Sequence, residues 1–509
     1  MPDFITLPAL VYGYAQSRPD HTAVIDGERR VSYRELDVLI DAVAAALQAN
    51  GVKPREAISI CGYSSIDYVA TFLGALRAGV AVAPLAPSST PADFAAMVKD
   101  ADAKVLFMDD AAAAAMGEGA TQSRAKRVGL DDGNFGEAFS RFATPGATPT
   151  PVVVDPSWTF NIIYSSGTTG TPKGIVHSHN LRWRQYGQLD PLGYGPDAIT
   201  VLSTPLYSNT TLVCFNPTLA GGGTVVLMRK FDAHGFLELA QKHRATHAML
   251  VPVQYRRIMA LPDFDSFDLS SFVMKFSTSA PFASAIKADV LKRWPGGLTE
   301  YYGMTEGGGS CILLAHEHPD KLHTVGQPGP DHDILLMGED GQPVPQGEIG
   351  EIVGHSPTIM DGYLNQPGKT SETFWHDASG KRYVRTGDVG RFDEDGFLTL
   401  MDRKKDMIIS GGFNIYPSDL EAVLAQHSDV VEAAVVAMPS DEWGETPVAF
   451  VVLAPNAATD AAGLKTWTNA RVGKFQRLAD VEIVETLPRS AIGKVLKREL
   501  RDRRLAATS

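Results

Sequence analysis

Strand and helix signals alternate along the first third of the chain, and this alternation restricts the folds that the sequence allows. Ser32 and Glu35 have the spacing of a capping box, which predicts the start of an amphipathic helix that ends near Gly51. Strands are predicted over 57–61, 80–84 and 104–108, and helices over 65–79 and 91–100. Such alternation is typical of a largely parallel sheet with crossover connections, so the predicted class is α/β with layered subdomains.

Two regions of distinct composition divide the 509 residues. A Pro- and Thr-rich stretch over 144–156 is typical of a connecting loop. A charged run over 402–406 precedes a segment that has strand and helix signals of its own. The chain is too long for one ordinary core. We therefore predict a large N-terminal domain over 1–402 and a small α+β domain over 403–509.

The charge and cysteine content argue against several functional classes. The chain has 46 Lys and Arg residues against 59 Asp and Glu, a formal net charge of −13, which disfavours nucleic-acid binding. Cys61, Cys214 and Cys311 are far apart, with no CxxC pair and no histidine at ligand spacing, so we expect buried, reduced thiols in a cytoplasmic protein. No apolar run is long enough to span a membrane, and the N-terminus lacks a secretion-signal pattern.

The most distinctive motif is a Ser-, Thr- and Gly-rich segment over 164–174, which follows an apolar strand predicted over 160–164. Its hydroxyls and closely approaching backbone N–H groups suit phosphate oxygens, and Lys173 adds a positive charge. The spacing differs from a Walker P-loop because Gly174 stands where that motif has Ser or Thr. The alternative interpretation is a flexible surface loop.

Four further motifs follow this segment in order. They are Tyr301-Tyr302-Gly303-Met304-Thr305-Glu306, Tyr383-Val384-Arg385-Thr386-Gly387-Asp388, the run from Asp402 to Pro417, and Pro488-Arg489-Ser490-Ala491-Ile492-Gly493-Lys494. Each alone is typical of a turn, a hairpin or the start of a helix. Together with 164–174 they resemble the adenylate-forming superfamily of acyl-CoA synthetases, luciferases and peptide-synthetase adenylation domains. The resemblance extends from Leu76 to Lys494.

This resemblance implies a site for ATP and Mg²⁺ in the large domain. The positions that match the family's nucleotide contacts are Thr168, Thr169 and Lys173 for the β- and γ-phosphates, Tyr302 for adenine, Thr305 for the α-phosphate, and Asp388 and Arg403 for the ribose. Glu306 matches the carboxylate that binds Mg²⁺, an ion that prefers oxygen ligands.

The resemblance also implies that the small domain rotates to serve two half-reactions. Lys494 matches the lysine that binds the acid carboxylate and the α-phosphate; the alternative is a solvated charge at the start of an amphipathic helix. Lys405 matches the hinge. The positions that match the passage for the pantetheine thiol and a contact with coenzyme A are Gly411, Gly412 and Trp443.

The acid pocket is predicted from rough position alone. Its candidate residues are Tyr207, Ser208, Met249, Ser279 and Gly308, with Trp183 and Tyr301 as further walls. Ser208 stands where amino-acid-activating domains carry Asp, which argues against an amino-acid substrate. Aromatic and sulfur walls suit an aryl or arylalkanoic acid, and three glycines over 307–309 leave volume for a bulky one.

The predicted function is that of an AMP-forming carboxylic acid:CoA ligase. It makes acyl-AMP and pyrophosphate from an acid and ATP, and then transfers the acyl group to CoA. The alternatives are a medium- or long-chain fatty acid:CoA ligase, a stand-alone enzyme that loads a carrier protein, and a non-catalytic nucleotide-binding regulatory protein. The expected partners are the acid, ATP and CoA, with no nucleic acid, and a homodimer is compatible with the sequence.

Overall fold

The computed structural model describes residues 3–165, 172–187, 189, 192–403, 406–410, 413–441, 443–489 and 494–508. The chain divides into two compact units. Unit 1 comprises Met1–Leu322, Pro328–Asp333 and His355–Val384, and unit 2 comprises His323–Gln327, Ile334–Gly354 and Arg385–Ser509. The mixed α/β class and the large and small units agree with the predicted fold. A boundary at residue 402 for a separately moving domain stays a prediction.

Sheet I belongs to unit 1 and is parallel apart from its edges. Its strands, in spatial order over the described residues, are Cys311–Leu314, Gly297–Tyr302, Met274–Ser277, His247–Leu250, Ile199–Leu202, Thr224–Leu227, Thr22–Asp26 and Arg29–Ser32, with Gln327–Pro328 beside the first. Cys311–Leu314 pairs antiparallel to Gly297–Tyr302, and the edge strand Arg29–Ser32 pairs antiparallel to Thr22–Asp26. The strands between them are parallel because helices return the chain to the same edge.

Sheet II, also in unit 1, carries the hairpin of the predicted phosphate loop. Its order over the described residues is Gly362–Tyr363, Lys173–Ser178, Thr159–Ser165, Ala81–Leu85, Ala57–Cys61, Ala103–Met108, Lys126–Gly129 and Glu137–Ala138. Thr159–Ser165 and Lys173–Ser178 are antiparallel, and Ser165 lies opposite Lys173. The two ends of the predicted loop are therefore adjacent across this hairpin.

The two sheets of unit 1 share one hydrophobic core with the helices around them. The helices of unit 1 are Leu7–Ser17, Tyr33–Ala49, Ile66–Arg77, Pro91–Asp100, Asp110–Met116, Phe139–Phe142, His179–Tyr186, Asn209–Ala220, Ala233–His243, Pro252–Met259, Ser284–Arg293 and Pro367–Thr373, with 3₁₀ turns at Gly117–Ala120 and Phe264–Ser266. The capping box predicted at Ser32 and Glu35 is confirmed in both of its hydrogen bonds. The strand Ala57–Cys61 and the helix Pro91–Asp100 have the predicted bounds.

Sheets III and IV complete the fold. The chain passes from one unit to the other within strands of sheet III. Sheet III contains Asp333–Met337, Gly350–His355, Phe374–His376, Arg382–Phe392 and Leu398–Arg403. Sheet IV, in unit 2, contains Ile408–Ser410, Phe413–Ile415, Val430–Ser440, Gly444–Leu453 and Asp480–Ile483. The helices of unit 2 are Pro417–Leu424, Ala461–Asn469 and Lys497–Thr508, with a 3₁₀ turn at Lys474–Gln476.

Alternate residues of sheet IV enter different cores, because successive side chains of a strand point to opposite faces. Val435 and Ala437 pack in one cluster with Leu420 and Leu464, from the helices on that side. Val436 packs in a second cluster that includes Leu500 of the terminal helix. Both faces of the sheet are therefore covered. None of the helices in the described part of the chain combines the length and apolar character that a membrane span requires.

We predict that Gly74→Ala destabilises unit 1. Gly74 lies where Ile66–Arg77 packs on Tyr33–Ala49, and a Cβ there would meet Val43 Cβ at 2.6 Å and Ile40 O at 2.9 Å. Overpacking at such a contact costs about 1–3 kcal/mol. Urea unfolding measures the loss.

The matched control is Gly13→Ala in the exposed part of Leu7–Ser17, where a Cβ has no neighbour within 4 Å. This substitution should stabilise the chain by about 0.5–1 kcal/mol, since alanine is the better helix former. A Gly74→Ala protein as stable as the wild type would contradict the close helix contact.

Candidate active site

The predicted acid- and nucleotide-binding residues of unit 1 converge at one edge of sheet I. Ile199–Leu202, His247–Leu250, Met274–Ser277 and Gly297–Tyr302 are consecutive parallel neighbours. The candidate residues at or just beyond their carboxyl ends are Tyr207, Ser208, Met249, Ser279, Tyr302 and Thr305. Ligands of open α/β sheets bind outside the carboxyl ends of the strands. The topology thus collects candidates that are up to about a hundred residues apart in sequence.

Polar side chains at this edge are hydrogen-bonded to one another. Ser208 is the N-cap of Asn209–Ala220, and its hydroxyl accepts from the Thr210 backbone N–H at 3.3 Å. The hydroxyls of Thr210 and Ser279 lie 2.7 Å apart. Ser279 has φ +82°, a left-handed conformation that costs a non-glycine residue about 1 kcal/mol or more and is common at functional sites. Direct contact of Ser208 and Ser279 with the acid stays a prediction.

A stack of near-parallel rings runs through the strands and ends at Tyr301. Successive centroids are 4.4 Å apart from His247 to Tyr194, 6.1 Å from Tyr194 to Phe276 and 5.9 Å from Phe276 to Tyr301, with interplanar angles of 17°, 10° and 17°. Tyr301 is the partly exposed end of the stack. Burial lowers the pKa of His247, so that its ring stacks as the neutral form. Sequence reasoning found Tyr301 but missed the other three rings, which lie on separate segments.

Glu306 is held by a tyrosine that the motifs did not identify. The Tyr363 hydroxyl donates to Glu306 Oε1 at 2.8 Å, and the Met360 backbone N–H donates to Glu306 O at 3.0 Å. The Lys173 ammonium lies 5.0 Å from the centre of the Tyr363 ring. Burial, followed by the adjacent Glu306 carboxylate, raises the pKa of Tyr363, so the phenol stays protonated and keeps donating. Tyr363 therefore connects the predicted phosphate-loop lysine with the predicted metal-binding carboxylate.

The chemistry of Glu306 fits a magnesium ion bound together with phosphates. Only Oε1 of its carboxylate has a hydrogen-bond partner among the described residues, and that partner is neutral. Within the described ranges no group of three or more His, Cys, Asp and Glu residues is placed to hold a metal by itself. Mg²⁺ is commonly held by one or two carboxylates together with substrate phosphates and water.

The glycines after Glu306 are required by the backbone. Gly307, Gly308 and Gly309 have φ values of +76°, +83° and +103°. A Cβ at Gly307 would lie 2.1 Å from Thr358 O. At Gly307 the expectation of free volume for a bulky acid is therefore wrong, because neighbouring backbone fills that space. Gly308 stays a predicted pocket residue.

In unit 2, sheet III brings the two predicted ribose residues together. Asp388 and Arg403 lie directly opposite each other on antiparallel strands. Within the strand Arg382–Phe392, the Asp388 backbone N–H donates to the Thr386 hydroxyl at 3.0 Å. Elsewhere in unit 2, Trp443 is 37% exposed, an unusual exposure for a large aromatic side chain and one that suits a ligand contact.

Residues on both sides of Lys494 form ion pairs within unit 2, one with sheet IV and one with the helix Pro417–Leu424. Arg489 forms an ion pair with Glu432 at 2.6 Å, and Lys497 forms one with Glu421 at 2.8 Å. The Leu496 backbone N–H donates to Pro488 O at 2.8 Å, so these two residues are adjacent. Lys494 lies just before the terminal helix Lys497–Thr508, close in sequence to these contacts. Thr168, Thr169, Lys405, Gly411 and Gly412 lie outside the described residues, and their roles stay predictions.

Comparison with known proteins identifies the family. The model of the AMP-binding enzyme family matches residues 13–364, and that of the AMP-binding enzyme C-terminal domain matches residues 419–494. The chain belongs to the AMP-binding enzyme family. The predicted resemblance is confirmed.

Three similar proteins cover nearly the whole chain. It is 32% identical to a feruloyl-CoA synthase of Amycolatopsis sp over 96% of this chain and 97% of the relative. It is also 32% identical to an indoleacetate–CoA ligase of Aromatoleum aromaticum, over 96% of each. The structure of ATP-bound MatB from Rhodopseudomonas palustris superposes with a TM-score of 0.88 at 27% identity, over 99% of this chain and 100% of that one.

We predict that Tyr363→Phe weakens the binding of MgATP more than that of metal-free ATP. The substitution removes the hydroxyl that orients Glu306, and loss of such outer-shell partners typically lowers metal affinity about 10- to 100-fold. Calorimetric titrations with and without Mg²⁺ give both affinities.

Tyr383→Phe is the matched control, because the Tyr383 hydroxyl donates to another carboxylate, that of Asp333, at 2.5 Å. It should leave the affinity for MgATP unchanged. Equal affinities in the wild type and Tyr363→Phe would argue against a role of Tyr363 at the metal position.

Proposed function

We propose that the chain is an AMP-forming carboxylic acid:CoA ligase for an aromatic or arylalkanoic acid. The observation that carries this proposal is the near-full-length similarity to two ligases whose acids, ferulate and indoleacetate, both contain an aromatic ring. The ring stack that ends at the partly exposed Tyr301 supports the aromatic class, because an aryl ring gains from offset stacking on another. Ser208 supplies no carboxylate for the ammonium of an amino acid.

In the first half-reaction an acid carboxylate oxygen attacks the α-phosphorus of ATP, and the bond from phosphorus to the pyrophosphate oxygen breaks. Both reactants are anionic, so a fixed cation between them lowers the barrier. Lys494 supplies this charge, and Thr305 contacts the α-phosphate. Lys173, Thr168 and Thr169 hold the departing pyrophosphate. When bound at Glu306, Mg²⁺ would neutralise part of the charge that develops on that group.

In the second half-reaction the CoA thiol attacks the acyl carbon, the bond from that carbon to the AMP oxygen breaks, and the thiol proton is lost to solvent. We propose that the small domain over 403–509 rotates about Lys405 between the two steps, since a hinge needs only a few residues whose φ and ψ change. Gly411 and Gly412 then leave room for the pantetheine thiol. Trp443 contacts CoA.

The proposal includes a cytoplasmic location and admits a homodimer. All three cysteines are buried and free, which suits a reducing compartment.

The direct test is acid-dependent exchange of labelled pyrophosphate into ATP, with ferulate, indoleacetate, benzoate and octanoate as substrates. We expect the best aromatic acid to exceed octanoate by at least about tenfold in kcat/KM, the discrimination that a differently shaped pocket provides. A preference for octanoate would favour a fatty acid ligase, and the absence of exchange with every acid would favour a regulatory protein. Comparing free CoA with a pantetheinylated carrier protein as the acceptor then separates a CoA ligase from a carrier-loading enzyme.

We predict that Lys494→Ala abolishes adenylation but spares acyl transfer. Removing one charged donor at a developing anionic centre typically costs about 10²- to 10³-fold in kcat. Pyrophosphate exchange measures the first step, and thioester formation from supplied acyl-AMP measures the second. Arg498→Ala removes an exposed cation close by in the sequence and should leave both rates near wild type. Equal losses of both half-reactions in Lys494→Ala would contradict the assigned role.

A further inference from the structure

We propose that Arg182 and His177 are positioning residues, which hold the Thr305 backbone and the acid-side residue Asn209 in fixed relation during adenylation. The inference rests on the proposed function, because it concerns the same site. Neither residue is part of the motifs from which the site was predicted. The observation that supports the inference is a buried hydrogen-bond network in unit 1.

Arg182 lies at the centre of this network and is fully buried. Its Nε donates to Asn161 Oδ1 at 2.9 Å, and its Nη1 donates to Gln185 Oε1 at 2.8 Å. Its Nη2 donates to both His177 Nδ1 and Asn209 Oδ1 at 2.8 Å. The planar guanidinium fixes the directions of these bonds, which a flexible lysine would not do.

The contact with Arg182 determines the tautomer of His177. Because Nδ1 accepts from the guanidinium, the ring proton is on Nε2, which lies 2.7 Å from Thr305 O and donates to it. Burial and then the Arg182 charge lower the pKa of His177 well below its usual value, so the ring stays neutral. The direction of the hydrogen bond to Thr305 is therefore the same over the whole working range of pH.

The network joins three segments that the proposed reaction brings into use together. Asn161 is on Thr159–Ser165, the strand that enters the predicted phosphate loop. Asn209 begins the helix that Ser208 caps, on the acid side. Thr305, reached through His177, is the proposed α-phosphate contact. A shift of about 1 Å between such groups lowers rates about 100-fold, so a rigid link among them has a catalytic consequence.

The charge of Arg182 makes a purely structural role costly. Its hydrogen-bond acceptors in the described part of the chain are the neutral side chains of Asn161, Gln185, His177 and Asn209, and burial lowers its pKa to about 9. A buried charge without an opposite charge is unfavourable, and packing alone would be met by an apolar residue. An apolar residue would not form the four hydrogen bonds that the guanidinium donates, so these bonds account for an arginine at this position.

The first experiment replaces His177 and measures pyrophosphate exchange with the best acid of the panel. His177→Leu should lower kcat about 30-fold and leave KM for ATP within about threefold, because it removes an orientation rather than a substrate contact. His177→Gln places an amide donor near the position of Nε2 and should restore kcat to within about fivefold of wild type.

His179→Leu is the matched control, since His179 is also fully buried and neither ring nitrogen has a partner among the described residues. It should leave kcat within about twofold of wild type, even if its thermal stability falls as far as that of His177→Leu. The rescue by Gln and the difference between the two Leu variants separate positioning from stability.

The second experiment breaks the other branch of the network. Asn209→Ala should raise KM for the acid about fivefold and leave KM for ATP unchanged, because only the acid-side branch is lost. Unchanged kcat in His177→Leu, or equal losses in the two Leu variants, would overturn the inference. If the wild type shows no acid-dependent exchange, the proposed function itself fails. That result differs from the two outcomes that would overturn the inference, because both of those require an active wild type.

Discussion

The parallel pairing of strands in sheet I is the constraint on which the site depends. In a parallel sheet every strand ends at the same edge, so the loops that follow neighbouring strands meet there. Candidate binding residues follow three of these strands, namely Ile199–Leu202, Met274–Ser277 and Gly297–Tyr302. The hydrogen bonds of the sheet thus turn a one-dimensional series of motifs into a local cluster. The sheet also fixes the ring stack, whose members lie on different segments.

Partly or fully buried side chains form hydrogen bonds to the candidate residues at this edge of sheet I. Tyr363 keeps Glu306 in place with a neutral hydroxyl, which leaves the carboxylate charge available to a cation. Arg182 and His177 reach Thr305 through its backbone, so its side chain is not used for this link. The Tyr363 contact holds one carboxylate oxygen of Glu306, and the His177 contact holds the backbone carbonyl of Thr305. In the proposed reaction these contacts would preorganise the site, because its donors would not need to reorient when a substrate binds.

In unit 2, ion pairs and helix packing hold the chain on both sides of the candidate residue Lys494. Both faces of sheet IV are covered, and the terminal helix Lys497–Thr508 packs on one of them. The ion pair of Arg489 with Glu432 links the chain before that helix to the sheet, and the ion pair of Lys497 with Glu421 links the helix to Pro417–Leu424. In the proposed reaction Lys494 would contact two anions, and contacts that hold neighbouring residues in place would reduce the conformational entropy lost at that step.

The sequence alone determined the α/β class, the family and several elements over 32–108, because these depend on local periodicity, capping and contiguous residues. Ala57–Cys61 and Pro91–Asp100 have their predicted bounds for that reason. Only the tertiary structure decided the supporting contacts: the hydroxyl of Tyr363 on Glu306, the link from Arg182 through His177, and the backbone requirement at Gly307. These contacts join residues far apart in sequence. Strand register and side-chain packing bring them together, and no local pattern records either.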